Sequence, residues 1–376
     1  MKRILLTCTD LMAIQFFTEH IKFWHENGYY VDLVCSPVGE RVNELVEFFD
    51  GIENSSIRTV ALERSPFKIS NLKGFLQLIK IAQKDRYDIV VTNEPVMGLL
   101  TRLAFAGQKR TKVTYIAHGF HFYKGGSKLN NLIYKTIESF AAHFTDSLVA
   151  INKEDFEAAK EFKLKKHGTI HYIPGIGVKT SKFYKSSKED CIEIRKELGL
   201  SHDDFVVAVI GELNDNKNQE TIIRAIASLK GECPNLKALL LGKGEKAEFL
   251  KNLCNELKID DRIHFLGYRH DVNRILSVCN LGASASLREG LGLNIIEEMA
   301  SGLPIVASLN RGHRDIVTEE IGVLLQENTA EDFAKAFRNF YKSPEKCEVI
   351  SKNNLALCKR FDIDSIKTSL LRIIEG

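Results

Sequence analysis

The sequence predicts an α/β protein with two doubly wound parallel sheets, and three observations support this. Short apolar runs alternate with amphipathic helical stretches from end to end, as in parallel strands joined by crossover helices. The alternation breaks once, around residues 173–177, and then restarts. The length of 376 residues also exceeds the usual size of one domain, which is about 100–200 residues. We therefore expect two similar sheet domains that face a cleft, joined by a linker.

The predicted elements follow from these periodicities. In the first half, the strands are expected at residues 3–8, 30–35, 58–61, 89–92, 113–117, 147–151 and 169–173, and the helices at 11–27, 71–85 and 129–144. In the second half, the strands are expected at 205–210, 237–241, 263–266, 281–284, 304–307 and 323–324, and the helices at 218–229, 246–257, 272–279, 295–301 and 330–341. A last helix is expected at 363–374.

Composition narrows the class of protein. Hydrophobic residues make up 44% of the chain and charged residues 27%, as in ordinary globular proteins. No apolar run approaches the roughly 18–20 residues of a membrane span, and the first apolar run is too short for a signal peptide. The eight cysteines are scattered without a Cys-x-x-Cys pair, so we expect no zinc site or disulfide framework and a reducing, cytoplasmic setting.

The charge of the chain argues against a nucleic-acid partner. The net charge is only +3, with a modest positive excess in the first half and a small negative excess in the second. This asymmetry is too weak for a nucleic-acid footprint. It is compatible with a first domain that touches an anionic membrane surface.

The most informative motif is Glu-Gly-Leu-Gly-Leu-Asn-Ile-Ile-Glu at residues 289–297. The glycines allow backbone N–H groups to approach an anion closely. A helix that begins near Leu293 directs its unpaired N–H groups and positive dipole end at the same point. Glu289 and Glu297 can accept hydrogen bonds from hydroxyl groups on either side of a phosphate. The motif therefore predicts a site for a sugar diphosphate at the carboxyl end of the strand 281–284.

With this motif on a second doubly wound domain, the chain resembles retaining glycosyltransferases of family 4, whose GT-B fold has two Rossmann-like domains facing a cleft. Residues 211–213 with Lys217, and residues 239–244, 265–268 and 300–307, carry the resemblance. In the first half, residues 64–66, 95–96 and 117–123 resemble the bacterial subgroup that builds capsular polysaccharide or exopolysaccharide. The resemblance implies domains at 1–178 and 179–358, and a helical segment at 359–376 that crosses back to the first domain.

The resemblance also implies roles for residues of the second domain. Glu289 would contact the hydroxyl groups of the donor sugar, and Glu297 would accept hydrogen bonds from the ribose. The backbone around Gly290, with the N–H groups of Leu291, Gly292 and Leu293, would bind the diphosphate. Nearby, Gly211 would border the nucleotide, and Tyr268 and Arg269 would offer backbone groups to the base.

The resemblance also implies cations that stabilise the leaving diphosphate. In the family, a lysine at the position of Lys217 and an arginine a few residues before it clamp the diphosphate. Here Glu212 occupies the arginine position, which should weaken diphosphate binding unless another cation substitutes. Lys243, in the loop after the next strand, is the candidate substitute. Lys217 would stabilise the charge that develops on the leaving group.

In the first domain, His118 at the end of strand 113–117 would lie against the donor sugar, with His121 as the alternative. The basic segment 123–131 is equally consistent with a loop that binds the acceptor and with an ordinary solvated loop. Residues 9–12 lack the Gly-Gly pair common in the family. Gly175 and Gly177 would border the cleft from the linker.

Two other patterns are rejected. Asp362-Ile363-Asp364 matches the metal–diphosphate motif of another glycosyltransferase fold, but it stands where a helix begins, so Asp364 as a helix cap is simpler. Gly242-Lys243-Gly244 resembles the start of a dinucleotide fingerprint, but position 247 is Ala and no ribose-binding acid follows about 20 residues later. We expect no metal and no other cofactor, because the nucleotide sugar is itself a substrate.

The predicted activity is retaining transfer of a sugar, most simply from a UDP-sugar, to a polyprenyl-diphosphate-linked saccharide at the inner membrane face. The phosphate that leaves the donor would accept the proton of the acceptor, so no dedicated protein base is required. Two alternatives stay open. One is a non-catalytic sugar-nucleotide-binding subunit, which Glu212 motivates, and the other is a UDP-sugar 2-epimerase.

Overall fold

The computed structural model describes residues 1–10, 14–36, 55–63, 65 and 68–376. It divides into two compact units. The first contains Met1–Gly177 together with Ile363–Gly376, and the second contains Val178–Asp362. The helix Ile363–Glu375 packs against the helix Thr18–Glu26 and the sheet of the first unit.

The first unit is built on a seven-stranded parallel sheet. Its strands are β1 (Lys2–Asp10), β2 (Tyr29–Ser36), β3 (Ser55–Thr59), β4 (Ile89–Asn93), β5 (Lys112–Ala117), β6 (Ser147–Ala150) and β7 (Thr169–Tyr172), in the order β3-β2-β1-β4-β5-β6-β7. Its helices in the described residues are Thr18–Glu26, Ser70–Lys84, Pro95–Ala104, Lys128–Ala142, Lys153–Ala159 and Ile363–Glu375, with a 3-10 turn at Gln15–Phe17.

The second unit repeats this architecture with a six-stranded parallel sheet. Its strands are β8 (Phe205–Ile210), β9 (Leu236–Leu241), β10 (Ile263–Gly267), β11 (Leu281–Ser284), β12 (Ile305–Ser308) and β13 (Gly322–Leu325), in the order β10-β9-β8-β11-β12-β13. Its helices are Lys188–Glu197, Gln219–Ser228, Ala247–Leu257, Val272–Leu276, Leu293–Ala300, Arg311–Ile316, Ala330–Lys342 and Pro344–Leu357, with 3-10 turns at Thr180–Lys182 and Cys358–Phe361.

The predicted fold class is confirmed: both sheets are parallel and doubly wound. The central strands are buried along their length, as β4, β6 and β11 show, because helices cover both faces of such sheets. Apolar residues therefore form continuous runs in these strands, which is why periodicity located them. Among the described residues, no helix combines the length and apolar composition needed to cross a membrane.

The prediction missed or shifted several elements. The strand β3 lies at Ser55–Thr59 rather than at 58–61, because its polar, partly exposed residues give no apolar run. The helix Pro95–Ala104 was missed because it is mostly apolar and its polar residues Thr101 and Arg102 are buried, so no solvent-facing polar stripe marks it. The predicted helix 11–27 is observed as a 3-10 turn followed by Thr18–Glu26, and its residues 11–13 lie outside the described residues. The helices Lys153–Ala159, Lys188–Glu197, Arg311–Ile316 and Pro344–Leu357 were also not predicted.

Close backbone packing at the carboxyl edge of the second sheet explains the Gly242-Lys243-Gly244 sequence. The N–H of Leu213 donates to the carbonyl of Lys243 at 2.9 Å, and the N–H of Gly211 donates to the carbonyl of Leu241 at 2.9 Å. A Cβ atom on Gly242 would lie 2.0 Å from the carbonyl oxygen of Gly211, and one on Gly244 would lie 2.3 Å from that of Leu213. These glycines let two loops touch through their main chains.

We expect Gly244→Ala to destabilise the protein by about 2 kcal/mol or more, because the new methyl group overlaps the backbone of Leu213 and the loops must separate. Gly231→Ala is the matched control, since nothing lies within 4 Å of its Cβ position, and its effect should stay within about 0.5 kcal/mol. Urea unfolding measures both. Equal stability of the two variants would contradict the packing role.

Candidate functional site

The candidate site of the second unit lies where the order of strands reverses. From β8 the chain adds β9 and β10 on one side, and then β11, β12 and β13 on the other. The loops that leave β8 and β11 therefore diverge at the carboxyl edge and leave a crevice, the usual ligand position in such sheets. Lys217 follows β8 and Glu289 follows β11. The fold thus brings together two predicted residues that are 72 positions apart.

Lys217 and Glu289 form an ion pair across this crevice. The Nζ atom of Lys217 donates to Oε1 of Glu289 at 2.6 Å, and both side chains are largely buried. Burial opposes the charged form of Glu289, but the attraction and hydrogen bond of Lys217 outweigh it, so the pKa of Glu289 lies below its ordinary value. Glu289 is therefore a carboxylate at neutral pH, and it can accept hydrogen bonds but not donate them.

The two loops are also joined by hydrogen bonds to main-chain groups. The N–H of Leu287 donates to the carbonyl of Asn216 at 2.8 Å, and the side-chain amide of Asn216 donates to the carbonyl of Arg288 at 3.0 Å. The side chain of Asn214 accepts from the N–H of Lys217 at 3.0 Å. These bonds hold Lys217 in register with Glu289 without using either charged group.

A buried polar layer that the sequence did not reveal supports the loop that carries Glu289. His313 is fully buried, and its Nδ1–H donates to the carbonyl of Ser308 at 2.8 Å. Burial lowers the pKa of His313 to about 4, so the ring is neutral at pH 7. Asn310 donates to the carbonyl of Ser286 at 3.0 Å and accepts from the N–H of His313 at 3.0 Å. The sequence marks these two residues only by an Asn-x-x-His spacing, which is too common in proteins to predict a buried polar layer.

The predicted helix after Glu289 begins where expected. The helix Leu293–Ala300 starts at Gly292, which has a φ of 110° and lies against the ring of His313. Within the part of the chain that the structure describes, no acceptor is found for the N–H groups of Leu291, Gly292 and Leu293. The buried Nδ2 of Asn294 also has no hydrogen-bond partner there. This helix end therefore presents several donors suited to an anion.

Glu297 is the second carboxylate of the motif. It is partly buried, and its carboxyl group has no hydrogen-bond partner among the described residues. Burial raises its pKa to about 7, while Lys182 acts in the opposite direction. Its neighbour Glu298 is fully buried beneath Gly282 of β11, and burial raises its pKa well above the ordinary value. Burial therefore favours the protonated form of Glu298, whereas Glu297 titrates near physiological pH.

Three residues bear on the absence of the arginine that the family places before Lys217. Glu212 is exposed on the loop after β8, and its carbonyl accepts from Gln219 at 2.9 Å. Lys243 is exposed in the neighbouring loop, and its carbonyl binds the N–H of Leu213. Arg311, which the sequence analysis missed, is buried and donates from Nε to the carbonyl of Glu289 at 3.3 Å.

The residues predicted near the base lie at and after the carboxyl end of the edge strand β10. Gly267 ends β10 with a φ of 65°, and its carbonyl accepts from the N–H of Gly242 at 2.8 Å. Tyr268 is exposed and packs edge-on against His270. Arg269 forms a two-pronged ion pair with Asp271 at 2.7 and 2.8 Å, so its side chain is occupied within this loop.

The first unit has the corresponding crevice between β1 and β4, where its strand order reverses. The carboxylate of Glu94, directly after β4, accepts from the N–H of Thr9 at the end of β1. Glu94 has a φ of 64°, a strained conformation for a residue with a Cβ atom. The sequence analysis noted Pro95 but missed Glu94, whose position before a helix-starting proline was the available signal.

His118 lies at the same edge, at the end of β5. Its Nε2 is 2.9 Å from Oδ1 of Asn93, and burial lowers its pKa to about 4. Because Nε2–H donates to Asn93, Nδ1 of the neutral ring is an acceptor. His121, the alternative, packs against Tyr134 with ring centroids 5.2 Å apart, so the two histidines have different surroundings.

The remaining predicted features have these positions. Tyr123, Lys124 and Asn131 line a cavity of about 370 Å³ in the first unit. Gly175 and Gly177 have φ values of 88° and 90°. Residues 11 and 12 of the first loop, and Arg64 and Pro66, lie outside the described residues.

The Asp-x-Asp pattern has structural partners. Asp362 precedes the helix Ile363–Glu375 and accepts from Thr180. Asp364 lies within the first turn and pairs with Lys367 at 2.6 Å, so its expected position as the cap was wrong. In the described ranges, no group of three or more His, Cys, Asp or Glu side chains is arranged to hold a metal ion.

Comparisons with known proteins agree with this fold and identify a family. Residues 190–356 match the family described as glycosyl transferases group 1, and residues 10–152 match the family described as glycosyl transferase 4-like. EpsD of Bacillus subtilis (strain 168), provisionally named a glycosyltransferase, is 36% identical over 81% of this chain and 80% of its own. The Escherichia coli UDP-Gal:α-D-GlcNAc-diphosphoundecaprenol α-1,3-galactosyltransferase is 30% identical over 81% and 78%.

Solved structures show the same fold. The crystal structure of Anabaena HepE in complex with UDP and glucose superposes with a TM-score of 0.82, at 20% identity and with full coverage of both chains. The two doubly wound parallel sheets therefore have the GT-B fold. The chain belongs to the group 1, family 4-like glycosyltransferases.

We expect Lys217→Met and Glu289→Gln to show a coupling energy of about 1–2 kcal/mol in a double-mutant cycle of urea unfolding at pH 7. The pKa of Glu289 is lowered in the folded protein. Its stabilising contribution is therefore present above the unfolded pKa of about 4.3 and is lost as the pH falls through the folded pKa.

The exposed pair Lys251–Glu248, at 2.8 Å, is the matched control for this cycle, and its coupling should not exceed about 0.5 kcal/mol. A coupling between Lys217 and Glu289 that is no larger than the control at pH 7, or that persists unchanged in acid, would contradict the pairing.

Proposed function

We propose that this glycosyltransferase moves a sugar from a UDP-sugar, with retention of anomeric configuration, to a polyprenyl-diphosphate-linked saccharide. We further propose that it works without a metal ion at the cytoplasmic face of the inner membrane, in the assembly of a capsular polysaccharide or exopolysaccharide. The observation that carries the proposal is the Lys217–Glu289 ion pair beside the N-terminus of the helix Leu293–Ala300.

In this proposal, the diphosphate binds the N–H groups of Leu291, Gly292 and Leu293, with the backbone of Gly290 beside them. The helix dipole and Lys217 supply positive charge where negative charge develops as the bond between the anomeric carbon and the phosphate oxygen breaks. Lys243 is proposed as the second cation in place of the family arginine. Arg311 is a less suitable candidate because it binds the carbonyl of Glu289.

The acceptor hydroxyl attacks the anomeric carbon from the face that the diphosphate leaves. Its oxygen forms the new glycosidic bond, and its proton passes to the departing phosphate oxygen, so the donor supplies its own base. Glu289, a carboxylate held by Lys217, accepts hydrogen bonds from the hydroxyl groups of the donor sugar. His118 is neutral at pH 7, and we assign its Nδ1 to accept a hydrogen bond from a further sugar hydroxyl.

We assign recognition of the nucleoside to Glu297 and the loop after β10. The carboxyl group of Glu297 has two oxygens for two vicinal ribose hydroxyls, and among the described residues burial and the charge of Lys182, with no hydrogen bond, act on its pKa. Gly211 borders the nucleotide, and the backbone at Tyr268 and Arg269 contacts the base. The UDP named with HepE and the UDP-Gal in the name of the Escherichia coli relative support a uridine donor.

The nature of the acceptor rests on the same relative, whose name includes a diphosphoundecaprenol-linked sugar. The role in exopolysaccharide or capsule assembly rests on the subgroup resemblance and on the similarity to EpsD. A non-catalytic sugar-nucleotide-binding subunit is the second candidate, because Glu212 stands at the position of a cation. Titration calorimetry and a transfer assay separate them, since a binding subunit would bind the donor without turnover.

The test of donor class is a thermal-shift panel of nucleotide sugars. The cognate donor should raise the melting temperature most, because ligand that binds only the folded state stabilises it by RT ln(1 + [L]/Kd). If no uridine or guanosine diphosphate sugar shifts the transition, the donor assignment fails. Formation of an epimerised UDP-sugar without an acceptor would instead favour an epimerase.

We expect Glu289→Gln and Lys217→Ala each to lower kcat at least about tenfold, equivalent to about 1.4 kcal/mol of barrier. Each variant removes a group that contacts the donor sugar or the leaving diphosphate. Glu248→Gln and Lys251→Ala, which alter an exposed ion pair, are the matched controls and should transfer at the rate of the unmodified protein. Full transfer activity in both site variants would rule out the assigned roles.

We expect UDP-sugar affinity to rise about tenfold between pH 6 and pH 8, because ribose binding requires the charged form of Glu297, whose pKa is about 7. His118 and His313, with pKa values of about 4, do not titrate in this window. Glu297→Gln should bind more weakly and lose the pH dependence. Parallel pH profiles for the two proteins in titration calorimetry would contradict this role.

A further inference from the structure

The helix Lys128–Ala142 of the first unit turns its large apolar side chains to solvent. Its buried residues are Glu138, Ala141 and Ala142. Its exposed side chains follow a helical repeat along one face, and the large apolar ones are Leu129, Leu132, Ile133, Ile137 and Phe140. Leu132 is 66% exposed and Phe140 is 55% exposed. A helix that only covers the sheet would place these residues inward.

A buried ion pair holds this helix to the protein. Arg102 is fully buried and donates to Glu138 at 2.8 Å, and its guanidinium lies 3.9 Å from the ring centroid of Tyr115. The hydroxyl of Tyr115 donates to Glu138 at 3.2 Å. A buried pair of this kind orients a helix but adds little stability over an apolar contact. The inner face therefore sets the rotation of the helix, and this rotation presents the apolar stripe outward.

A second apolar stripe lies on the same layer of helices. The helix Pro95–Ala104 contacts both Lys128–Ala142 and Ser70–Lys84, so these helices form one layer. Near the start of Ser70–Lys84, Ile69, Leu72 and Leu76 are exposed at helical spacing. Both outer helices of the layer begin at the carboxyl edge of the sheet, because each follows a parallel strand. The two stripes therefore begin at the same edge of the unit.

Within the two helices, the exposed charged side chains are positive. The helix Ser70–Lys84 contains no acidic residue, and the one carboxylate of Lys128–Ala142, Glu138, is buried. Exposed lysines flank both stripes: Lys73, Lys80, Lys124 and Lys128. Lys135 pairs with Glu161 at 2.6 Å, so the charges of these two residues balance each other. Exposed apolar residues with lysines alongside are typical of helices that lie in the interface of an anionic membrane.

A cavity of about 370 Å³ continues the first stripe into the protein. Leu132 belongs to both the stripe and the cavity wall, and Phe122 and Ala158 line the interior. Lys124 and Lys135 also line this cavity. Glu154 and Asp155 line it as well, but both accept hydrogen bonds from the protein, Glu154 from the N–H of Lys124 at 2.9 Å and Asp155 from the N–H of Phe120 at 3.0 Å. The apolar interior beside Lys124 suits the acyl chain and anionic headgroup of a phospholipid.

We propose that the outer faces of the helices Lys128–Ala142 and Ser70–Lys84 form a docking surface for an anionic phospholipid bilayer. The apolar stripes insert at the level of the headgroups, and the flanking lysines contact lipid phosphates. The surface gives a physical basis to the membrane association proposed above. It rests on that proposed membrane location, so a failure of vesicle binding would remove the location as well, whereas sugar transfer from the nucleotide donor is tested separately by the transfer assay.

The experiment is co-sedimentation of the full-length protein with vesicles of phosphatidylcholine with and without phosphatidylglycerol. The unmodified protein should bind the anionic vesicles, and high salt should weaken the binding. The double variant Leu132→Ser, Ile137→Ser should lower partitioning at least about tenfold. Each of Lys124→Gln and Lys128→Gln should lower it by up to about fivefold.

The matched controls lie in the second unit. Ile192 is 60% exposed on the helix Lys188–Glu197, and Ile192→Ser and Lys251→Gln should leave partitioning unchanged. A second readout uses Leu132→Trp, whose fluorescence should shift to the blue on adding anionic vesicles, while that of Ile192→Trp should not. The native Trp24 is buried and adds a constant background.

Three results would overturn the proposal. The protein could bind anionic vesicles no better than neutral ones, or the stripe variants could partition as well as the unmodified protein. Light scattering could instead show a dimer that Leu132→Ser, Ile137→Ser dissociates, without vesicle binding. That last outcome would assign the surface to a second copy of this chain.

Discussion

The ion pair between Lys217 and Glu289 is the interaction on which the candidate site of the second unit depends. It spans the crevice between the loops after β8 and β11, and each partner compensates the burial of the other. Without Lys217, Glu289 would be a largely buried charge with too little compensation, and burial would raise its pKa. The pair thus keeps a carboxylate ionised beside a helix terminus that favours anions. The remaining contacts of the loop, through Asn216, Arg311 and His313, hold the backbone around this pair.

Both units use a carboxylate to bridge the point where strand order reverses. In the second unit Glu289 meets Lys217, and in the first unit Glu94 meets the N–H of Thr9. The physical reason is shared, because diverging loops leave a crevice that a side chain can span. The partners differ in chemistry. A cation in the second unit suits the departure of a phosphate, whereas a backbone donor in the first unit fixes the position of Glu94 without adding charge.

Burial and local partners set different protonation states for the ionisable groups of the two crevices. His118 and His313 are kept neutral, Glu289 is kept charged, and Glu297 titrates near neutrality. The difference between the two glutamates of the motif follows from partners, since Lys217 binds Glu289 and no protein donor among the described residues binds Glu297. Elsewhere, Arg102 and Glu138 show that the first unit buries a charged pair where it leaves leucine and isoleucine exposed. Burying the charged pair while exposing large apolar side chains is the reverse of the usual arrangement, and it supports the docking surface proposed for this layer of helices.

The sequence by itself determined the fold class, most strands, the glycine-rich turn and the helix Leu293–Ala300, because these depend on local periodicity and on backbone preferences of glycine. It could not pair Lys217 with Glu289, since residues 72 positions apart meet only through the order of β8 and β11. It also missed His313, Arg311 and Glu94, which lie in segments without an apolar pattern. Only the tertiary structure decided that the apolar face of Lys128–Ala142 points outward, because a helical repeat defines a stripe but the packing of Arg102 against Glu138 sets its direction.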